Sequence, residues 1–169
     1  MQLMPDSPLR RAALEVEAHV GAQGWDQLPR LFALVSTADL IAREPGLADQ
    51  LSGDADSITP IEQELDAGRE LEDLLTEIEW PDAVIGCAAV IERIMLPPEA
   101  EEALPDDPDA LIAAASTHPD RREVRLVAAV TRDGRAHSAV RGRESLDAEL
   151  LEGPDLVPGL IEHLRSTLS

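Results

Sequence analysis

The sequence predicts one α+β domain: a small, mostly antiparallel sheet in two layers, covered by helices that include one at each end of the chain. Three observations carry this reading. Apolar residues recur at helical spacing in 9–20 and again in 157–168. The stretch 83–95 is apolar on both alternating faces until Glu92, the pattern of a central strand covered on both sides, although Ala88 and Ala89 fit a helix equally. Asp133-Gly134 separates two further runs, about 123–131 and 135–141, as the turn of a tight β-hairpin does. A length of 169 residues suits a single domain spanning 1–169.

Taken in order, Ser7-Pro8 opens the first helix, with serine as N-cap and proline at the first helical position. Leu9, Ala12, Ala13, Val16 and Val20 form its stripe, and Gly21 and Gly24 close it. Leu31 to Val35 reads as a buried strand, although its length alone leaves a helix open. Thr37 is the expected cap of a short helix carrying Leu40 and Ile41, interrupted at Pro45-Gly46. Residues 52–68 read as a surface loop with one helical turn at Thr59-Pro60-Ile61-Glu62, which has capping-box spacing. Leu71, Leu74, Leu75 and Ile78 predict a helix over 69–80, stopped by Pro81. After the 83–95 strand, Pro97-Pro98 breaks the chain, a helical turn is expected at 99–104, and Asp107-Pro108 starts a helix carrying Leu111, Ile112 and Ala115. The hairpin follows, and Leu160, Ile161, Leu164 and Leu168 mark the last helix.

Charge sets the functional bounds. The chain has 14 Lys+Arg, all of them arginine, against 34 Asp+Glu, for a net charge of −20. Without lysine there is no Schiff base and no Gly-Lys-Ser/Thr phosphate loop. Cys87 is the one cysteine, which excludes internal disulfides and multi-cysteine zinc sites. His19, His118, His137 and His163 fall in no metal-ligand spacing, and neither G-x-S-x-G nor G-x-G-x-x-G occurs. No catalytic residue, metal site or cofactor is predicted. No basic leader is present before Asp6, and no apolar run reaches 18 residues, so a cytoplasmic protein is expected. A surface this acidic repels nucleic acid and anionic membranes, so neither is an expected partner.

The arginines are unevenly placed. Residues 44–79 hold twelve acids and one arginine, whereas 121–143 hold seven arginines against Glu123 and Asp133. With a two-residue loop at Asp133-Gly134, Arg132 faces Arg135, Val130 faces His137 and Leu126 faces Arg141. Arg121, Arg122, Arg141 and Arg143 then gather at the end away from the turn, with Arg125 on the face opposite Arg141. These five are the candidate anion-binding set, because guanidinium forks match carboxylate and phosphate. The other reading is that they pair with the protein's own acids. Glu70, Asp73 and Glu77 lie at helical spacing, for which a solvated face is the reading favoured over a cation site. Cys87 reads as a small buried hydrophobe and His137 as a sheet-face residue. Trp25 and Trp80 read as anchors near element ends.

Several stretches carry a resemblance: Trp25 to Leu34, Trp80 to Cys87, Leu96-Pro97-Pro98, His118 to Leu126 and Gly153 to Leu160. Together they resemble a family of uncharacterised acidic actinobacterial proteins, and the lysine-free, alanine-rich composition agrees with a high-GC genome. The element order also resembles the compact α+β layout of type III secretion chaperone-like domains, which implies pairing into dimers and binding of protein segments. The expectation that follows is a non-enzymatic interaction module, an adaptor or chaperone-like protein binding another protein or a second copy of itself. The alternative is an anion or small-molecule binding domain, possibly an enzyme, using the arginine-rich hairpin.

Overall fold

The structure is a computed structural model and describes residues 7–46, 57–65, 68–95, 99, 102–117, 119, 122–143, 150–154 and 156–168. Its helices are α1 (Pro8–Gly21), α2 (Thr37–Arg43), α3 (Leu71–Leu75), α4 (Pro108–Thr117) and α5 (Pro158–Ser166). Its strands are β1 (Arg30–Ser36), β2 (Ile58–Gln63), β3 (Val84–Met95), β4 (Arg122–Thr131), β5 (Ala136–Gly142) and β6 (Leu151–Gly153). They form one antiparallel sheet in the order β2-β1-β3-β4-β5-β6. This is the α+β class that the sequence predicts, with helices near both ends.

The sheet is covered on both faces, however, which makes three layers where sequence analysis has two. On one face α1 buries Leu9, Ala12, Ala13, Val16 and Val20 against Phe32, Leu34, Val90, Val127 and Ala139. On the other, α3 and α5 bury Leu71, Leu75, Leu160, Ile161 and Leu164 against Leu31, Cys87, Ile91, Leu126 and Val130. A strand alternates its side chains between faces, so β3 and β4 feed both clusters at once. That explains the near-continuous apolar run of 83–91.

Local chemistry accounts for most element ends. The Ser7 hydroxyl accepts from the Arg10 backbone N–H at 3.0 Å and caps α1. Ser36, rather than Thr37, caps α2 through the Asp39 N–H, while the Thr37 hydroxyl bonds that of Thr59 at 2.7 Å. The helix expected over 69–80 is confined to Leu71–Leu75. Beyond it the chain turns so that the Trp80 indole N–H donates to Thr167 at 2.8 Å, and Ile78 and Trp80 still pack on the α5-side cluster. Of the helical turn expected at 99–104, Glu99 and Glu102 are helical and residues 100 and 101 lie outside the described residues, as does the segment 47–56 after Gly46.

The turn expected at Thr59-Pro60-Ile61-Glu62 is instead the edge strand β2. Its register places Pro60 opposite Leu34, and Thr37 N–H donates to Ser57 C=O one step beyond the strand. Alternation from that bond makes Leu34–Pro60 a non-hydrogen-bonded pair, so the donor proline lacks is one that would point away from the sheet. An edge strand is where proline is tolerated.

The hairpin also differs by one residue. Thr131 N–H donates to Arg135 C=O at 3.0 Å, and Val130 pairs with Ala136, Ala129 with His137 and Leu126 with Val140. The loop is therefore three residues, Arg132 to Gly134. Gly134 has φ of 91°, and Asp133 does not have positive φ. A type I′ turn requires positive φ at both central residues, so the alternative three-residue loop with a left-handed glycine forms.

Candidate functional site

The hairpin's one-residue shift decides where its arginines go. Arg125 is directly opposite Arg141 on adjacent strands and shares its face; the expectation that they lie on opposite faces is overturned by the register. Glu92 pairs with Arg125 in turn, so Glu92, Arg125 and Arg141 form one row across β3, β4 and β5 on the α1 side. Arg143 lies two residues beyond Arg141 and returns to the same face. Arg122 is at the register position opposite Met95, and Arg121 lies outside the described residues.

The Arg125 side chain is 1% exposed. Its guanidinium donates to the Gly24 carbonyl at the end of α1 and lies 3.7 Å from the Glu92 carboxylate. Its Nε is buried with no hydrogen-bond partner. Gly21 passes so close that a Cβ there would stand 3.4 Å from Nη1. Arg141 pairs with Glu17, which is buried in the α1 stripe. Arg143 bridges Asp26 at 2.7 Å and Glu123 at 3.0 Å.

Segment 22–29 is built around this row. Trp25 sets its ring against two guanidiniums, with centroid distances of 4.4 Å to Arg125 and 5.7 Å to Arg143. Asp26 has φ of 65°, a left-handed conformation that aspartate tolerates better than most residues. There the backbone N–H groups of Asp26 and Gln27 both donate to Glu92, at 2.9 and 3.1 Å. The Gln27 amide donates to the carbonyls of Val20 and Gly24, satisfying groups that the end of α1 leaves open. Arg30 donates to both Gln23 and Gln27 and to Glu62 at 2.6 Å.

Hydrogen bonding by Arg143 holds the Asp26 carboxyl below its ordinary range, and Arg30 does the same for Glu62. A second cluster joins α1 to the far edge of the sheet: Glu152 accepts from Arg10 at 2.8 Å and meets His137 at 3.0 Å. Arg10 and, secondarily, His137 lower the Glu152 pKa.

Chemically, Arg125, Arg141 and Arg143 are turned onto the protein's own carboxylates. Cys87 is buried, and loss of solvation pushes its thiol up to about 11, so it stays protonated at neutral pH. Among the described residues, no group of three or more His, Cys, Asp or Glu side chains could hold a metal ion. Glu77 is engaged by Arg69 at 2.8 Å. His118 lies outside the described residues, and His19 and His163 are exposed.

Sequence reasoning missed Glu17, Glu92 and Glu152. The first two carried a usable sign: Glu17 sits four residues after Ala13 within the apolar stripe, and Glu92 continues the alternation of Ala88 and Val90. A lone acid at a core position needs a cation above or beside it.

A concavity lies elsewhere, on the α3 side of β1 and β2. A cavity of about 620 Å³ is lined by Leu28, Pro29, Leu65 and Leu74 with Arg30, Arg69, Glu62 and Glu64. A neighbouring one of about 420 Å³ shares Gln63, Glu64, Leu65 and Leu74 and continues to Trp80.

Among known families, the profile described as PPA1309-like protein matches residues 9–169. Comparison with curated proteins and with solved structures gives no match.

Proposed function

The chain belongs to the PPA1309-like protein family, and from that premise we propose that it is a cytoplasmic protein-interaction module, an adaptor or chaperone-like binder with no chemistry of its own. The supporting observation is the inward use of positive charge. Arg125, Arg141 and Arg143 are held by Glu17, Asp26, Glu92 and Glu123, while exposed acids such as Glu64, Glu70, Asp73, Glu79 and Asp82 face solvent. Such a surface attracts a basic protein face and repels nucleic acid and anionic lipid. At Arg125 and Arg141 the anion-binding alternative would have to break pairs with the largely buried carboxylates of Glu92 and Glu17, which is unfavourable.

The test is affinity capture of the tagged chain from lysate of its native host at low and high salt, with mass spectrometry and light scattering of the purified protein. A stoichiometric partner that weakens with salt, or a defined dimer, supports the reading. A monomer that retains nothing at low salt overturns it.

A further inference from the structure

We propose that the groove between β2 and α3 receives an amphipathic helix of a partner protein, its large apolar side chains flanked by lysine or arginine. This deepens the interaction-module reading and rests on it. Among the described residues, the α3 side of the sheet is unevenly roofed. α5 packs on β3 and β4, and α3 packs beside α5. The β1–β2 half lies under the two contiguous cavities of about 620 and 420 Å³. Apolar groups converge there: Leu65, Leu74 and Trp80 line the floor, and Leu28 stands at the mouth 68% exposed. Ile61, on the same face of β2, is 40% exposed. A helix laid in this space would continue the row of α5 and α3 and cover what they leave open.

Charge selects the partner. Of the two arginines on the rim, Arg30 is engaged by Glu62 and Arg69 by Glu77. Glu64 and Glu79 are exposed on the same rim, and among the described residues neither meets a cation. Lysine or arginine beside the apolar face of the incoming helix would meet them, and like charge would be repelled. The strand mode of docking is disfavoured independently, because Pro60 removes an outward donor from the middle of β2.

The probe is a synthetic peptide of about 18 residues, long enough to form helix on the surface. It carries a leucine stripe at i, i+3, i+4 and i+7 with flanking lysines. Two controls accompany it: the same stripe flanked by glutamate, and a scrambled isomer of equal charge without helical periodicity. The chain has two tryptophans, so the indole N–H resonances separate the groove, through Trp80, from the arginine cluster, through Trp25.

The expected result is saturable binding with Kd on the order of 10 μM, a shift of Trp80 and none of Trp25, and at least about tenfold weaker binding of both controls. Leu28→Asp with Glu79→Arg, both exposed positions, should weaken binding about tenfold or more while leaving the spectrum folded. Equal binding of the scrambled isomer, a shift of Trp25 in place of Trp80, or no binding at millimolar peptide overturns the groove. So does self-association that Leu28→Asp abolishes, which would make a second copy the occupant. A captured lysate partner that binds the double variant as tightly as wild type also overturns the groove yet leaves the interaction-module reading standing. A lysate that yields no partner and no dimer removes that broader reading instead.

Discussion

The guanidinium carbon of Arg125 sits 4.4 Å from the centre of the Trp25 ring, beneath a segment that Glu92 and Arg143 also tie to the sheet. The pair joins a charge that cannot be neutralised in the physiological range to an aromatic face, and both leave water together. Arg125→Ala should therefore destabilise the fold by about 2–4 kcal/mol, since it leaves a buried void and removes the cation beside Glu92, which keeps its two backbone donors. Arg125→Lys should recover only part of this, because an ammonium cannot reach Gly24 and Glu92 while covering the ring. Urea unfolding of the three proteins gives the ranking; a lysine variant as stable as wild type would contradict it.

Pro60 predicts an association phenotype. Replacing it with valine or threonine restores an outward N–H at the centre of β2 and raises strand propensity. The variant should fold and should form dimers or larger species in a concentration-dependent way by light scattering. A strictly monomeric Pro60→Val protein would show that another feature blocks this edge.

Gly86 is fixed by close approach of two strands. A Cβ at this position would collide with the Val130 carbonyl. Gly86→Ala should cost about 1–3 kcal/mol as β3 and β4 are pushed apart. Gly134→Ala, at φ of 91° but with open space around it, should cost about 1 kcal/mol through backbone strain alone. Thermal denaturation distinguishes them by size.

Acid should unfold the protein through its engaged carboxylates. Hydrogen bonding by Arg10 lowers the Glu152 pKa, and Arg30 lowers that of Glu62. A depressed folded-state pKa means that the stabilisation is fully present above the ordinary carboxylate value of about 4.3 and is lost as pH falls through the lower folded value. Stability should thus hold from pH 7 to about 5 and fall below about 4. Glu152→Gln should lower the plateau and flatten the acid limb, read as unfolding free energy against pH. An unchanged acid limb in this variant would remove Glu152 from the explanation.

Much of this architecture is legible in the residues, and the exceptions have local causes. β3 could be read because its residues from Val84 to Ile91 are apolar on both faces. β2 could not, because Thr59-Pro60-Ile61-Glu62 satisfies the spacing of a helix start, and only pairing with β1 makes it a strand. The three residues of β6 are too few to show alternation. The hairpin was legible as a hairpin, but its loop length turned on whether Asp133 takes positive φ, which its neighbours do not dictate. That one residue reassigned Arg125 from the face opposite Arg141 to the same face. It separates an open cluster of guanidiniums from an internal network of ion pairs. The groove at β2 was invisible in the sequence because its walls come from three separated segments, and exposed leucines read like core leucines until packed.

The sheet order carries a consequence for how the chain is made. α1 leaves the ribosome well before its ion-pair partners: Arg10 waits 142 positions for Glu152, and Glu17 waits 124 for Arg141. Until β4 and β5 have been synthesised, the apolar stripe of α1 has only the β1–β3 half of the sheet, with Phe32, Leu34, Ile58 and Val90, to rest on. Folding is consequently dominated by distant encounters and is expected to be slow for a chain of this size. The nascent first half is left exposed to chaperones and proteases, and truncation from either direction should unravel the whole rather than yield a stable fragment.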